Sequence, residues 1–331
     1  MPAVSIITPA FNAAPFVAQT IDSIRAQTFD DWELVIVDDG STDGTTDLIA
    51  GYQERDGRIR LLHQANAGPS AARNQAMRAA RGAYFAFLDS DDTWEPDYLE
   101  RQLAVFRDYP DTHLVTGVAR YRGGPRDGRV MRPFVAGYPR LTLRDIIADD
   151  TAVFIMTIFR RAVFETIGGL DESQRRSEDY EFWLRAATSG FVFRRNPAPL
   201  GHYRIRQGSA SQNTVEMLRG ILLSYDKVRP ACPPGSPERA ALDVQVARFE
   251  RELLLTEAKL ALERRAFDDA ARHLRTLHAR GGGPLVALIA WLAEHAPAAA
   301  LLAYRLRHVR RYARPGDGHS RRGVAAELAA S

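Results

Sequence analysis

Residues 83–92 read AYFAFLDSDD, an apolar run from Tyr84 to Leu88 that ends in three aspartates, Asp89, Asp91 and Asp92. The run is short, aromatic and unbroken by polar residues, as a strand buried on both faces should be. Carboxylates packed this closely repel one another, and each pKa rises unless a cation offsets the repulsion. The stretch therefore reads as a buried strand whose carboxyl end presents acidic groups to something positively charged.

The same arrangement recurs on the amino-terminal side. VSIITPAF (4–11) is a β-branched run that stops in a Pro/Asn turn, and PFVAQTIDSIRAQ (15–27) follows with apolar residues at helical spacing. ELVIVDDGS (33–41) is a second buried strand. STDGTTDLIAGYQER (41–55) opens a helix, with Ser41 or Thr42 as the expected N-cap. RIRLLHQ (58–64) is a third strand, and the Ala-rich GPSAARNQAMRAARG (68–82) is a helix expected to close at Gly82. Strands alternating with helices over short links imply parallel strands joined by crossover helices. Asn12, Asp38 and Asp39, Asn66, and Asp89 to Asp92 all fall at the carboxyl ends of those strands. Open parallel sheets bind ligands at that edge.

Bulk properties set the outer limits. The chain has 331 residues, 45% hydrophobic and 26% charged, enough for one large α/β domain and a smaller appendage. A single cysteine, Cys232, excludes an intramolecular disulfide framework and suits a reducing compartment. Met1 is followed at once by a strand-like run, so no secretory signal is expected. The net charge of +3 is unevenly spread: seven arginines face two acidic residues from His295 onward. Residues 123–140 are rich in Gly, Pro and Arg and read as a surface loop.

The expected organisation is one domain over residues 1–215 and an α-helical region over 216–331, with a helical hairpin at 238–280. The segment 284–314 is apolar and then strongly basic, but Glu294, His295 and Pro297 interrupt it, which argues against a membrane-spanning helix. Two readings stand: helices packed on the preceding hairpin, or a surface-lying anchor whose arginines are drawn to anionic lipid. No nucleic-acid partner is expected, because base-stacking aromatics do not interleave with the arginines.

Each polar group has a plain structural reading beside the functional one. Asp38 and Asp39 can cap the next helix, and Glu178-Asp179 can serve the N-terminal dipole of EDYEFWLRAATSG (178–190), a helix closed by Gly190. Three aspartates exceed what one cap needs. Carboxylates so placed bind Mg²⁺ or Mn²⁺, which bridge protein carboxylates to substrate phosphates. Arg73 gains interest because its loop faces the same edge. Phe11 follows Pro9 at a strand end, where an aromatic face can cover a flat base.

TPAFN (8–12), IVDDGS (36–41), NAGPSAARN (66–74), FLDSDD (87–92), GGLDES (168–173) and SEDYEFWLR (177–185) occur in this order. Together, over residues 2–211, they resemble the family 2 inverting glycosyltransferases of bacterial surface-polysaccharide type. The resemblance implies the GT-A fold, a Rossmann-like, mostly parallel sheet flanked by helices, here followed by an α-helical C-terminal region. It implies transfer of a sugar from a nucleotide-diphosphate donor, UDP being the expected nucleotide, to a saccharide or lipid-linked acceptor by metal-assisted single displacement. It makes Asp39 a contact to the nucleotide base with Phe11 and Pro9 beside it, and Asp89-Ser90-Asp91 the DXD element. In that element Asp91 is the metal ligand and Asp89 assists with ribose or metal-bound water, with Mn²⁺ or Mg²⁺ as the cation. Asp179, next to Glu178, becomes the general base, and Arg73, with Ser90 and Arg204, lies near the nucleotide sugar. One departure is visible: YRIRQGSAS (203–211) carries Arg206 where the family pattern has a histidine, and an arginine there can pair with a diphosphate bidentately. The expected location is cytoplasmic, with peripheral contact to the inner membrane through the C-terminal segment as the further possibility. A nucleotidyltransferase or a non-catalytic sugar-nucleotide-binding protein remains as an alternative. A Rossmann dehydrogenase is disfavoured, because no GxGxxG follows a strand.

Overall fold

In the computed structural model, which describes residues 1–206, 214–302 and 304, four strands form the first half of the sheet. These are β1 (Val4–Ala10), β2 (Trp32–Asp38), β3 (Ile59–His63) and β4 (Tyr84–Phe87), ordered β3-β2-β1-β4 and all parallel. β2 is buried at every position, as a two-faced strand demands. Crossover helices α1 (Val17–Arg25), α2 (Thr45–Arg55) and α3 (Pro69–Ala79) join them. α1 buries Val17, Thr20, Ile21 and Ile24, the face its apolar spacing selects.

Two helix ends differ from expectation. α2 begins at Thr45 behind Gly44, whose φ is 87°, so neither Ser41 nor Thr42 caps it. Ser41 Oγ accepts from the Asn12 N–H at 3.0 Å, and Asn12 Oδ1 accepts from the Thr42 N–H at 2.9 Å. The polar run ties the loop after β1 to the loop after β2 instead. α3 ends at Ala79, before Gly82. A Cβ on Gly82 would lie 2.6 Å from Ser5 N, and its N–H donates to Ser5 Oγ at 2.7 Å. Glycine is needed there for close approach to β1, not to end a helix.

The second half comprises β5 (Thr93–Trp94), α4 (Tyr98–Asp108), β6 (Leu114–Arg122), β7 (Arg140–Leu141), α5 (Leu143–Ala148), β8 (Thr157–Arg160), α6 (Arg161–Ile167), α7 (Glu178–Thr188) and β9 (Phe193–Arg204). The order across the sheet is β3-β2-β1-β4-β8-β6-β9-β5, with β7 also on β9. β8 runs antiparallel to β4 and β6, β6 is parallel to β9, and β5 and β7 are antiparallel to β9. The parallel order thus covers the first four strands, and the sheet as a whole is mixed. Between β6 and β8 the one α-helix is α5, six residues long, not a crossover helix of the α1–α3 kind, which fits an antiparallel return.

An aromatic cluster fixes α7 against the sheet. Phe159 packs edge-on to Phe85, Phe87 and Trp183 at centroid distances of 5.7, 5.0 and 5.8 Å, and Trp183 lies 5.9 Å from Phe87. Burying each such ring contributes on the order of 2–3 kcal/mol, and edge-to-face pairing adds about 1 kcal/mol per pair. Trp183→Ala would remove this anchor at a loss of about 3–5 kcal/mol. The cluster holds the first turn of α7 beside the end of β4.

The described residues divide into two units, one within Met1–Gln212 and Leu223–Leu242, the other within Asn213–Leu222 and Asp243–Ser331. α8 (Thr214–Val228) crosses that division. α9 (Pro237–Glu263) likewise runs from the first unit into the helical one, where its later turns and α10 (Phe267–Ala279) make a helical pair that turns at Arg265 with φ 59°. α11 (Pro284–His295) packs on it: Val286 and Ala290 share a core with Ala258, Leu274 and Leu277. Among the described residues no helix is long and apolar enough to cross a membrane. The arginines from 305 onward, and residues 207–211 of the YRIRQGSAS stretch, lie outside the described residues.

Candidate functional site

Arg73, on α3, is the hub of the site. Its guanidinium is buried and makes two ion pairs, Nη2 to Asp89 Oδ1 at 2.5 Å and Nη1 to Glu178 Oε1 at 2.8 Å. Asp89 lies just beyond β4 and Glu178 is the first residue of α7, so one side chain joins the end of the parallel half-sheet to the helix clamped beneath it. Burial disfavours the guanidinium charge, but Asp89, Glu178 and Asp179 outweigh it and hold Arg73 above the ordinary arginine range. Among the described residues its buried Nε has no hydrogen-bond partner.

Asp179 follows Glu178 and is half-buried. Burial, then the charge of Glu178, push its carboxyl up to about 7, against the pull of Arg73. A carboxylate near neutrality is matched to proton transfer. The residue before the pair, Ser177, has φ 56°, an uncommon conformation for a residue with a side chain. The turn is held by Gln174, whose Nε2 donates to Ser177 O at 3.0 Å and to Ser224 Oγ at 2.9 Å. Lys227 Nζ donates to Gln174 Oε1 at 2.8 Å and pairs with Asp171 at 2.6 Å.

The three aspartates after β4 have three different surroundings. Asp89 meets Arg73. Asp91 Oδ2 accepts from Arg206 Nε at 2.6 Å. Burial and then the Asp89 charge raise its pKa, with Arg206 opposing. Asp92 is buried, and Oδ1 accepts from the Arg204 N–H at 2.8 Å. Burial, then Asp91 and Asp89, push Asp92 well above the carboxylate range. Arg204 Nε donates to Asp91 O at 2.9 Å and Nη2 to Gln19 Oε1 at 2.8 Å, with its Cζ 4.9 Å from the Phe16 ring centroid. Arg204 is a staple between the end of β9, the aspartate loop and α1. Ser90 is buried, and its carbonyl accepts from Thr20 Oγ1 at 3.0 Å.

On the other flank, Asp39 is buried behind β2. It accepts from Gln64 Nε2 at 2.7 Å and from the N–H groups of Ala67 and Gly68 at 2.8 and 2.9 Å. Asp38 takes the cap-like work, accepting from the Ser41 N–H at 3.1 Å and from Thr46 Oγ1 at 2.5 Å. Pro9 pairs with Val37 within β1, and Phe11 stands exposed just after that strand. Phe11, Asp39 and Asp89 thus mark the carboxyl ends of three neighbouring strands, β1, β2 and β4.

Sequence reasoning missed the bracing residues. Asn74 donates to Leu170 O and accepts from the Leu170 N–H, both at 2.8 Å, fastening the GGLDES turn to α3. A Cβ on Gly169 would meet Asn74 Oδ1 at 2.3 Å. Asn74 and Gly169 belonged to quoted motifs, so a signal existed; Gln174, Ser224 and Lys227 carried none.

The chemistry of the donor set bears on a cation. Among the described residues no group of three or more His, Cys, Asp or Glu side chains is placed to hold a metal ion. Asp89 and Asp91, however, carry a mutual repulsion that a cation would relieve. Mg²⁺-type ions are often held by one or two carboxylates plus substrate phosphates. The residues fit a cation shared with a phosphorylated ligand, not one held by protein alone.

This architecture, a sheet with a carboxylate-lined edge, is that of an enzyme class, and the comparisons name it. Residues 5–168 match the family described as Glycosyl transferase family 2, and the chain belongs to that family. It is a glycosyltransferase. Over 229 residues it is 34% identical to a Bacillus subtilis protein named "Putative teichuronic acid biosynthesis glycosyltransferase TuaG", covering 69% of this chain and 88% of that one. It is 28% identical over 277 residues to "Putative glycosyltransferase EpsH" of the same organism, covering 81% of this chain and 80% of that one. Among solved structures, S. aureus TarS 1–349 in complex with UDP-GlcNAc superimposes with a TM-score of 0.64 at 20% identity, covering 91% of this chain and 89% of that one. Mannosyltransferase PcManGT from Pyrobaculum calidifontis, in complex with GDP-Man and Mn²⁺, gives 0.61 at 21% identity, covering 93% and 87%. The sheet and its flanking helices therefore resemble the GT-A fold.

Proposed function

We propose that the chain moves a sugar from a nucleoside-diphosphate donor, UDP-linked, to a saccharide or lipid-linked acceptor in surface-polysaccharide assembly, with inversion at the anomeric carbon. The observation that carries this reading is the Arg73 bridge, which sets Asp89 and the Glu178–Asp179 pair on opposite sides of one buried cation. An inverting displacement needs a leaving diphosphate on one face of the sugar and an activated hydroxyl on the other. In this reading Asp179 takes the acceptor proton as the acceptor oxygen bonds to C1, while the C1–O bond to the diphosphate breaks and its electrons leave with the phosphate. Glu178 and Arg73 position that base. Asp39 and Pro9 hold the nucleotide base with Phe11 against its face. Asp89, Ser90, Arg204 and Arg206 line the path to the diphosphate.

Asp91, with Asp89, would hold Mn²⁺ or Mg²⁺ together with the donor phosphates, and a cation so bound supplies charge neutralisation for the leaving group. The name of the B. subtilis relative TuaG supports the polymer context, and the nucleotide sugars bound to the two solved structures support the donor class. We place the reaction in the cytoplasm, which suits a chain whose single cysteine, Cys232, is buried and in no disulfide. A nucleotidyltransferase is disfavoured, because the loop after β1 is tied to Ser41, Thr45 and Asp43 through Asn12, Ala13 and Ala14 and carries no basic glycine-rich turn.

The test is a donor-hydrolysis screen across UDP-, GDP- and other nucleotide sugars, with and without Mn²⁺ or Mg²⁺. Hydrolysis of one UDP-sugar, stimulated by the cation, is expected. No hydrolysis of any donor would return the non-catalytic binding reading.

A further inference from the structure

β6 ends paired with β9, and the chain beyond it leaves the sheet. Arg122, the last residue of β6, accepts the Ile205 N–H at 2.9 Å beside Arg204, so the chain leaves the sheet next to the aspartate loop. It then makes a hairpin, in which Gly128 N donates to Tyr121 O and Tyr121 N to Arg129 O, each at 2.9 Å, before running on to β7. Three apolar side chains on this excursion stand in solvent: Phe134 is 74% exposed, Val135 46% and Val130 38%. Residues 120–140 carry six arginines against one aspartate, Asp127. Arg132 is committed, pairing with Asp149 just after α5 at 2.8 Å. Among the described residues Arg122, Arg126, Arg129 and Arg140 form no ion pair with a carboxylate.

An exposed phenylalanine and two valines would ordinarily be a liability on a water-facing loop. Set among unpaired arginines, they match the chemistry of a bilayer interface, where apolar tips enter the headgroup boundary and basic side chains meet lipid phosphates. We propose that residues 122–140 dock the protein on a membrane containing anionic phospholipid, presenting the sheet edge beside the loop to the bilayer. Charge complementarity selects this occupant over a second copy of the chain, since two such loops would repel. The placement is separate from the C-terminal segment and needs none of its arginines.

The experiment is co-sedimentation of the full-length chain with vesicles of phosphatidylcholine alone and of phosphatidylcholine mixed with phosphatidylglycerol, without donor. The parent is expected to bind the mixed vesicles, more weakly as salt is raised. Phe134→Ser with Val135→Ser, and separately Arg126→Gln with Arg129→Gln and Arg140→Gln, should each weaken binding about tenfold or more. Hydrolysis of a soluble nucleotide sugar and thermal melting should be unchanged. Vesicle binding by both variants equal to the parent's would overturn the proposal, as would a parent that binds neither vesicle. So would a loop variant whose only change is in oligomeric state. Binding is read without donor, so these failures leave the sugar-transfer reading untouched.

Discussion

Arg73 Nη1 lies 2.8 Å from Glu178 Oε1, across 105 residues of chain. With Asp89 on its other terminal nitrogen, the guanidinium makes the loop after β4 and the start of α7 one mechanical unit. Arg73→Ala would leave two carboxylates facing each other without their cation. A loss of about 3–5 kcal/mol is expected, together with loss of transfer. Arg73→Lys keeps the charge but not the fork that reaches both partners, so it should fold with a lowered melting temperature and a kcat reduced at least tenfold. Melting curves and initial rates check both; an alanine variant that melts and turns over like the parent refutes the bridge.

Asp179→Asn should abolish transfer while nucleotide binding persists. General-base catalysis contributes about 10²–10⁴-fold, so kcat should fall by that range while donor affinity, read by calorimetry, moves little. If affinity collapses in step with kcat, the residue belongs to the donor site and not to the acceptor side.

The raised pKa of Asp179 sets two pH dependences of opposite sign. As a base the group works only when ionised, so kcat/KM should rise with pH through about 7 and level above it. For stability, the folded chain retains a proton that the unfolded chain has lost anywhere between the ordinary 3.8 and about 7. Folding stability contributed by this group therefore falls as pH rises through that window. Asp179→Asn removes the effect: its melting temperature should exceed the parent's above pH 7, and the gap should close below 3.8. A pH-independent gap would point to packing instead.

Arg206 Nε sits 2.6 Å from Asp91 Oδ2, where the family pattern has a histidine. Arg206→Gln removes a charge-assisted hydrogen bond and a phosphate-directed cation, so KM for the donor should rise about tenfold or more. Half-saturation by Mn²⁺ should shift to lower concentration as Asp91 loses its competitor. Donor saturation curves at fixed and varied Mn²⁺ measure both shifts. An unchanged KM would remove Arg206 from the donor site.

Much of this was readable in the residues. β2 and β4 are continuous apolar runs, so their burial and the position of the acidic groups behind them followed from composition alone. Asp39, Asp89, Asp91 and Asp179 were marked by motif, and the fold places the first three behind β2 and β4, on either side of β1. What stayed hidden depends on distance in sequence. No local pattern pairs Arg73 with Glu178, assigns Asp92 to the backbone of Arg204, or sends Lys227 to Gln174. The helix ends misled for a related reason: Gly82 and Ser41 carry punctuation chemistry, but tertiary contacts with Ser5 and Asn12 claim them first. The antiparallel β8 was also unreadable, because pairing direction depends on the path of residues 123–156, of which 123–140 read only as a surface loop.

The bracing of Ser177 bears on where the gene can be cut. Its left-handed turn is held through Gln174 by Ser224 and Lys227, which sit well past the last strand, on α8. A fragment ending at residue 211, the limit of the motif resemblance, would keep every acidic side chain of the crevice yet release the hinge that aims Asp179. Such a truncation should still retain nucleotide while transferring poorly, and extending it through Val228 should restore turnover.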